Sequence, residues 1–109
     1  MILKQTCNLS ENSLPLEMVI IPDPEPAGGQ ILIKVAACGV CHTELDEIEG
    51  RTPPAFFPMI LGHEVVGRVI GIGQGVTRFQ VGDRVGISWF FSSCGVCEFC
   101  LQGKENLCL

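Results

Sequence analysis

The chain has 109 residues, with 7 Lys+Arg against 12 Asp+Glu and a formal net charge of −5. That balance argues against nucleic acid or an anionic membrane as its partner and toward a small molecule. Hydrophobic residues make up 47% and charged residues 17%, which is apolar for a chain able to bury only about two-thirds of its unfolded surface, so some surface is expected to lie against another domain or subunit.

Thirteen glycines and seven prolines punctuate short branched runs, the signature of a β protein. In chain order, Glu17 to Ile21 is expected to be a strand. Pro22-Asp23-Pro24-Glu25-Pro26 must then run extended outside any central strand, and Gly28-Gly29 turns the chain. Gln30 to Ala37 reads as a second strand. Thr43 to Glu49 reads as a short helix, with Leu45 and Ile48 on one face and Glu44, Asp46 and Glu47 near its favourable N-terminal end. Glu64 to Ile72 and Arg84 to Ser88 complete the strands, the latter preceded by a turn at Val81-Gly82-Asp83. The apolar runs Val35 to Cys41 and Phe56 to Leu61 fall short of the roughly 18 residues that span a bilayer. The expected fold is mainly β, a small partly open barrel with short helices.

Cys94, Cys97, Cys100 and Cys108 are spaced CxxCxxCx7C. Three thiols on a tight loop and a fourth returning later can surround one Zn²⁺ tetrahedrally, with sulfurs about 2.3 Å from the metal. Four thiolates leave a local charge of about −2 around the ion, so the N–H groups of Gly95, Val96 and Gly103, with Lys104 nearby, are expected to face the sulfurs. The segment reads as a closed structural zinc lobe, expected to hold a shape and do no chemistry. An iron–sulfur cluster is the weaker alternative, because no Cys-Pro follows Cys100 after three residues. Disulfides are disfavoured by the odd count of seven cysteines and the lack of a secretory pattern, which together point to a reducing, cytoplasmic setting.

A second set of ligand types lies upstream. Cys41 stands at the junction of strand and helix, and Gly62-His63-Glu64 opens the following strand, so a thiolate, an imidazole and a carboxylate come from two element ends. By themselves these residues also fit an ordinary core histidine. They do not form a zincin motif, since Gly67 stands where the second histidine is required.

Cys38-Gly39-Val40-Cys41-His42-Thr43-Glu44-Leu45, Leu61-Gly62-His63-Glu64-Val65-Val66-Gly67, Val81-Gly82-Asp83-Arg84-Val85 and the cysteine tetrad, taken together, resemble the zinc-dependent alcohol dehydrogenases of the medium-chain dehydrogenase/reductase family. The resemblance runs from about Gln30 to the last residue. It implies that residues 1–109 are a GroES-like catalytic domain carrying two zincs, one structural and one catalytic. Cys41 and His63 are then ligands of the catalytic zinc, and Glu64 is a carboxylate able to approach it. Zinc is redox-inert, so it would act as a Lewis acid on the alcohol oxygen while hydride leaves to NAD(P).

The resemblance also supplies roles for the neighbours. Thr43 matches the hydroxyl that receives the alcohol proton, with helix N-cap as its plainer reading. His42 matches a position facing the cofactor pyrophosphate. Glu44 stands where the family commonly has Asp and would orient the His63 imidazole. Cys38 is expected to be a small buried strand residue, and Cys7 has no partner pattern. Gly71-Ile72-Gly73-Gln74-Gly75 lacks the third glycine of a nucleotide fingerprint and reads as a turn. Trp89, Phe90 and Phe91 read as core, with Trp89 also matching a position against the substrate. In the family another catalytic zinc ligand and the whole Rossmann cofactor domain come later, so the chain is expected to be a fragment that is inactive alone. The expected partners are a small alcohol or aldehyde and, as a homo-oligomer, further copies of the chain. The alternative from a different class is a non-catalytic zinc-binding or oligomerising module of the same fold.

Overall fold

A computed structural model describes residues 1–90 and 92–108; Phe91, expected above to be core, lies outside the described residues. The element order is β1 (Ile2–Leu3), β2 (Leu16–Glu17), β3 (Ile31–Gly39), α1 (His42–Glu49), β4 (Glu64–Ile72), β5 (Arg84–Ile87), α2 (Glu98–Leu101) and a 3₁₀ turn at Glu105–Leu107. β1 and β2 form one antiparallel pair, and β3-β4-β5 form an open antiparallel sheet in that order. The fold is mainly β, with short helices and sheets that do not close, as a partly open GroES-like barrel requires.

The strand expected over Glu17 to Ile21 shrinks to Leu16–Glu17. Its partner β1 offers only two residues, with Ile2 opposite Glu17 and Leu3 opposite Leu16, and the prolines that follow lack the N–H groups a ladder needs. By contrast β4 alternates along its length, with Gly67 and Val69 buried and Val66, Arg68 and Ile70 exposed, the period-2 pattern of a half-buried strand. Opposite it, β3 is irregular between Leu32 and Ile33 and again between Val35 and Ala37. Such bulges bend a strand and increase its twist.

The described core is small: Leu3, Ile48 and Val69 are its buried hydrophobic residues. Leu3 exchanges backbone hydrogen bonds with Met59 at 2.7 and 2.9 Å, and the Cys7 N–H donates to the Ile48 carbonyl at 2.8 Å. The N-terminal segment is thereby tied to the end of α1. Large apolar side chains are widely exposed instead, among them Leu14, Met18, Ile20, Val66, Ile70 and Trp89, in keeping with the apolar composition.

The expected turns form at Gly28-Gly29, at Gln74-Gly75 and at Val81-Gly82. Gly73 is required by close approach, since a Cβ there would strike the Ala27 carbonyl. Two expectations are corrected. Thr43 does not cap α1, which begins one residue earlier with Cys41 as its cap. Cys38 is exposed rather than buried, because it lies at the open end of β3; its thiol faces the Gly62 backbone, where an added Cβ would lie 2.8 Å from Sγ.

Candidate metal centres

Cys41 follows β3 in an extended conformation (φ −118°, ψ −174°) and caps α1. Its thiol accepts the Thr43 N–H at 3.4 Å, and its own N–H donates to Glu44 Oε2 at 2.7 Å. This is a capping box with a thiol in place of the usual hydroxyl. The α1 start therefore fixes the direction of the Cys41 sulfur. His63 arrives from the other side, one residue after Gly62 (φ +115°) and at the mouth of β4. Its Nε2 lies 3.3 Å from Cys41 Sγ. Its Nδ1 lies 3.2 Å from Glu44 Oε1, an electrostatic contact rather than an aligned hydrogen bond, since that oxygen has no hydrogen-bond partner.

Glu44 is 6% exposed. Burial pushes its carboxyl up, but the N–H groups of Cys41 and Glu44, the Cys41 side chain and the facing His63 outweigh burial and hold it below the usual carboxylate range. A charged carboxylate behind Nδ1 favours the tautomer with its proton there, leaving Nε2 free as a donor to a metal. Ligand atoms of Cys41, Glu44 and His63 lie within 4.8 Å of one another. A tetrahedral zinc with one sulfur and one imidazole ligand sets those atoms about 3.6 Å apart, close to the separation here.

The other expected residues sit around this centre. Thr43 is exposed at the helix start, and its hydroxyl has no hydrogen-bond partner among the described residues. His42 is also exposed, its Nδ1 3.3 Å from Asp46 Oδ1, an oxygen that the Arg51 guanidinium also binds. Glu64 is not among the three converging residues. It stands opposite Gly39 in the β3–β4 register, and its carboxylate lies over Gly39, where a Cβ would strike it. Trp89 is 67% exposed and meets Phe90 edge to face at 5.9 Å, so it is not core.

Two residues near the centre were expected only as acids at the start of the helix, not as neighbours of the site. Asp46, one turn beyond His42, was visible in principle from the i, i+4 spacing. Glu47 has a buried Oε2 without a hydrogen-bond partner. Burial, then the Glu44 charge, raise its carboxyl, and His63 partly opposes them. Helical spacing from Glu44 was its only sequence signal.

The second centre is the tetrad, whose four sulfurs lie within 4.8 Å of one another. Cys97 Sγ is 3.5 Å and Cys94 Sγ 3.9 Å from Cys100 Sγ, against about 3.8 Å between sulfurs on a tetrahedral zinc. The N–H groups of Val96 and Cys97 donate to Cys94 Sγ at 3.4 and 3.3 Å, and the Cys94 N–H donates to Cys108 Sγ at 3.3 Å. Chiefly through the two N–H donors, Cys94 is lowered to about 6. Burial and the neighbouring thiols raise Cys100 to about 11, against the N–H of Gly95. The expectation for Val96 and Gly95 therefore holds. Gly103 differs, its N–H donating to the Cys100 carbonyl at 3.1 Å, and the Lys104 ammonium donates to Gln102 at 2.9 Å. The turn at Gly103 uses its N–H to close the end of α2, which removes it from the sulfurs.

Comparison with known proteins points to one family. Residues 27–109 match the alcohol dehydrogenase GroES-like domain. An alcohol dehydrogenase of Geobacillus stearothermophilus is 46% identical over 95 residues, covering 86% of this chain and 28% of that protein. Among solved structures, a cinnamyl alcohol dehydrogenase of Sorghum bicolor is 43% identical with a TM-score of 0.68, covering 81% of this chain and 25% of that one. A cobalt- and zinc-bound thermostable alcohol dehydrogenase of Pyrobaculum aerophilum reaches a TM-score of 0.82 at 30% identity, covering 98% and 31%. The chain thus spans less than a third of the length of these relatives.

Proposed function

Because the chain belongs to the alcohol dehydrogenase GroES-like domain family, we propose that residues 1–109 form the metal-carrying catalytic domain of a zinc- and NAD(P)-dependent alcohol dehydrogenase. The observation that carries this reading is the 3.3 Å approach of Cys41 Sγ to His63 Nε2, with Glu44 behind the imidazole. Zinc bound there would act as a Lewis acid on an alcohol or carbonyl oxygen, with NAD(P) exchanging the hydride.

The chain's own residues then divide the work. Cys41 and His63 hold the catalytic metal, and Glu44 orients His63 and keeps Nε2 free. Thr43, with an exposed and unengaged hydroxyl, takes the alcohol proton at Oγ1. His42, exposed in the first turn of α1, would contact the cofactor phosphates, and Glu64 would approach the metal only if its side chain left Gly39. Cys94, Cys97, Cys100 and Cys108 hold the structural zinc. Small alcohols or aldehydes are the substrates, the setting is cytoplasmic, and the assembled protein is a homo-oligomer. Residues 1–109 alone are inactive in this reading, because the described residues offer no glycine-rich phosphate turn opening a helix.

The alternative, a zinc-binding module without catalysis, needs only the tetrad and leaves the Cys41–Glu44–His63 convergence without a purpose. Elemental analysis of the purified chain, before and after mild chelation, separates them. One zinc should survive chelation, and a second, labile equivalent should disappear in Cys41→Ser and in His63→Ala. Iron in place of zinc, or no second equivalent in the parent chain, would overturn the dehydrogenase reading.

A further inference from the structure

The sheet carries a row of like charges that local pairing does not explain. Lys34 stands directly opposite Arg68 across β3 and β4, and Arg68 directly opposite Arg84 across β4 and β5. All three are exposed. With strands about 5 Å apart, the row spans about 10 Å across one sheet face. Like charges placed directly opposite one another destabilise a sheet, and here the arrangement occurs twice in succession.

The remaining cations are all engaged. Lys4 pairs with Glu17, Arg51 with Asp46 and Glu49, Arg78 lies over the Phe79 ring and Lys104 binds Gln102. In a chain of 12 acids and 7 cations, the three in register have neither a carboxylate, an aromatic ring nor a side-chain amide as partner among the described residues; Arg68 donates only to the Gly82 carbonyl. Exposed Val66 and Ile70 flank the row along β4.

The complementary surface lies on the same chain. Asp23 and Glu25 also lack an ion-pair partner among the described residues. They belong to an exposed extended arm that begins with Ile20 and Ile21 and is held straight by Pro22, Pro24 and Pro26. An extended proline-rich segment rises about 3.1 Å per residue with three residues per turn, which sets Asp23 and Glu25 about 6 Å apart along the arm, their side chains about 120° apart around its axis. That spacing lets two carboxylates bridge three cations, with the apolar arm residues beside Val66 and Ile70. Within one chain the arm ends at Pro26 beside Gly71, and neither carboxylate meets the row.

We propose that the Lys34–Arg68–Arg84 face docks the Ile20–Pro26 arm of a second copy of this chain, through alternating charge and apolar contact. This extends the homo-oligomer of the proposed function but does not depend on metal or dehydrogenase activity. Because the arm is already extended, little conformational entropy is lost on docking.

The test is sedimentation velocity on the zinc-loaded chain over a concentration series, from about 50 mM to about 500 mM NaCl. Association should weaken by about tenfold or more with the added salt, and by a similar factor in Arg68→Glu and in the Asp23→Lys/Glu25→Lys double variant. Mixing those two variants should recover heterologous association through one contact, since the double variant keeps an unaltered row and Arg68→Glu keeps an unaltered arm. Unchanged zinc content and circular dichroism establish that each variant folds, and Arg84→Glu replaces Arg68→Glu if the latter does not. A parent chain that stays monomeric, or variants that associate like the parent, would overturn the docking surface. Association that salt leaves unchanged or strengthens retains self-association through apolar surface and also removes this surface from it.

Discussion

Glu44 places one carboxylate oxygen 3.2 Å from His63 Nδ1 while the other receives the Cys41 N–H at 2.7 Å, so a single buried side chain couples the start of α1 to the mouth of β4. Glu44→Gln keeps the shape but removes the charge that favours a proton on Nδ1. The labile zinc equivalent should bind about 10- to 100-fold more weakly, with the tetrad zinc unaffected. Competition with a chelator of known affinity reads both. Equal affinity of the labile equivalent in parent and variant would remove Glu44 from the positioning role.

The tetrad lobe has no buried residue in α2 or in the 3₁₀ turn, so the described side chains provide little hydrophobic reason for its shape. Its order should therefore depend on metal–sulfur bonds. Cys97→Ser is expected to lose about one zinc per chain and to abolish amide protection over residues 94–108, while the β3-β4-β5 amides exchange as before. Hydrogen exchange followed by mass spectrometry distinguishes this from global unfolding, in which the sheet amides would lose protection too.

Much of this architecture was legible from local pattern. The β4 bounds agree with the branched, alternating run from Glu64 to Ile72, and α1 differs from its expected start by one residue. Spacing located the cysteine tetrad, whereas Cys41 and His63 were singled out by the family resemblance, and the third residue that converges on them is Glu44. What remained hidden depends on residues distant in sequence or on competition for one donor. Glu17 to Ile21 has strand character but only a two-residue partner. The Gly103 N–H faced a choice between sulfur and the Cys100 carbonyl and took the carbonyl. The Cys41 thiol, instead of the Thr43 hydroxyl, captured the cap because the chain enters α1 one residue sooner. Glu64 was grouped with His63 through adjacency, yet successive strand residues point to opposite faces, and its carboxylate lies over Gly39.

The shifted thiols set the pH dependence of metal loading. With Cys94 near 6 and Cys100 near 11, at neutral pH the metal-free lobe already holds a thiolate at Cys94 and a proton at Cys100. Zinc binding at pH 7.5 should release the Cys100 proton in full and almost none from Cys94. Zinc affinity should fall more steeply as pH drops through about 6, where Cys94 also takes up a proton. For the metal-free fold, the lowered Cys94 contributes stability that is complete above its ordinary value of 9.0 and lost as pH falls through about 6. Calorimetry in buffers of different ionisation enthalpy counts the protons, and a Cys94→Ser variant that releases one proton fewer at pH 7.5 would contradict this assignment.

Gly67 lies at the centre of β4, opposite Val35 and beside the β3 irregularity that runs to Ala37. A Cβ at this position would strike the Lys34 carbonyl and lie 2.6 Å from Ile33 Cγ2. The first obstacle is backbone, so rotamer change cannot relieve it, and β3 must move away from β4. Gly67→Ala should therefore destabilise the chain by about 2 kcal/mol or more, although alanine is otherwise the smaller perturbation to a strand than glycine. Separation of β3 from β4 would also pull Cys41, which follows β3, away from His63, which precedes β4. The variant should thus lose the labile zinc at temperatures where the tetrad still retains its own. Thermal denaturation with parallel zinc analysis tests both parts, and a variant as stable as the parent would show that the β3 irregularity can absorb the added methyl group.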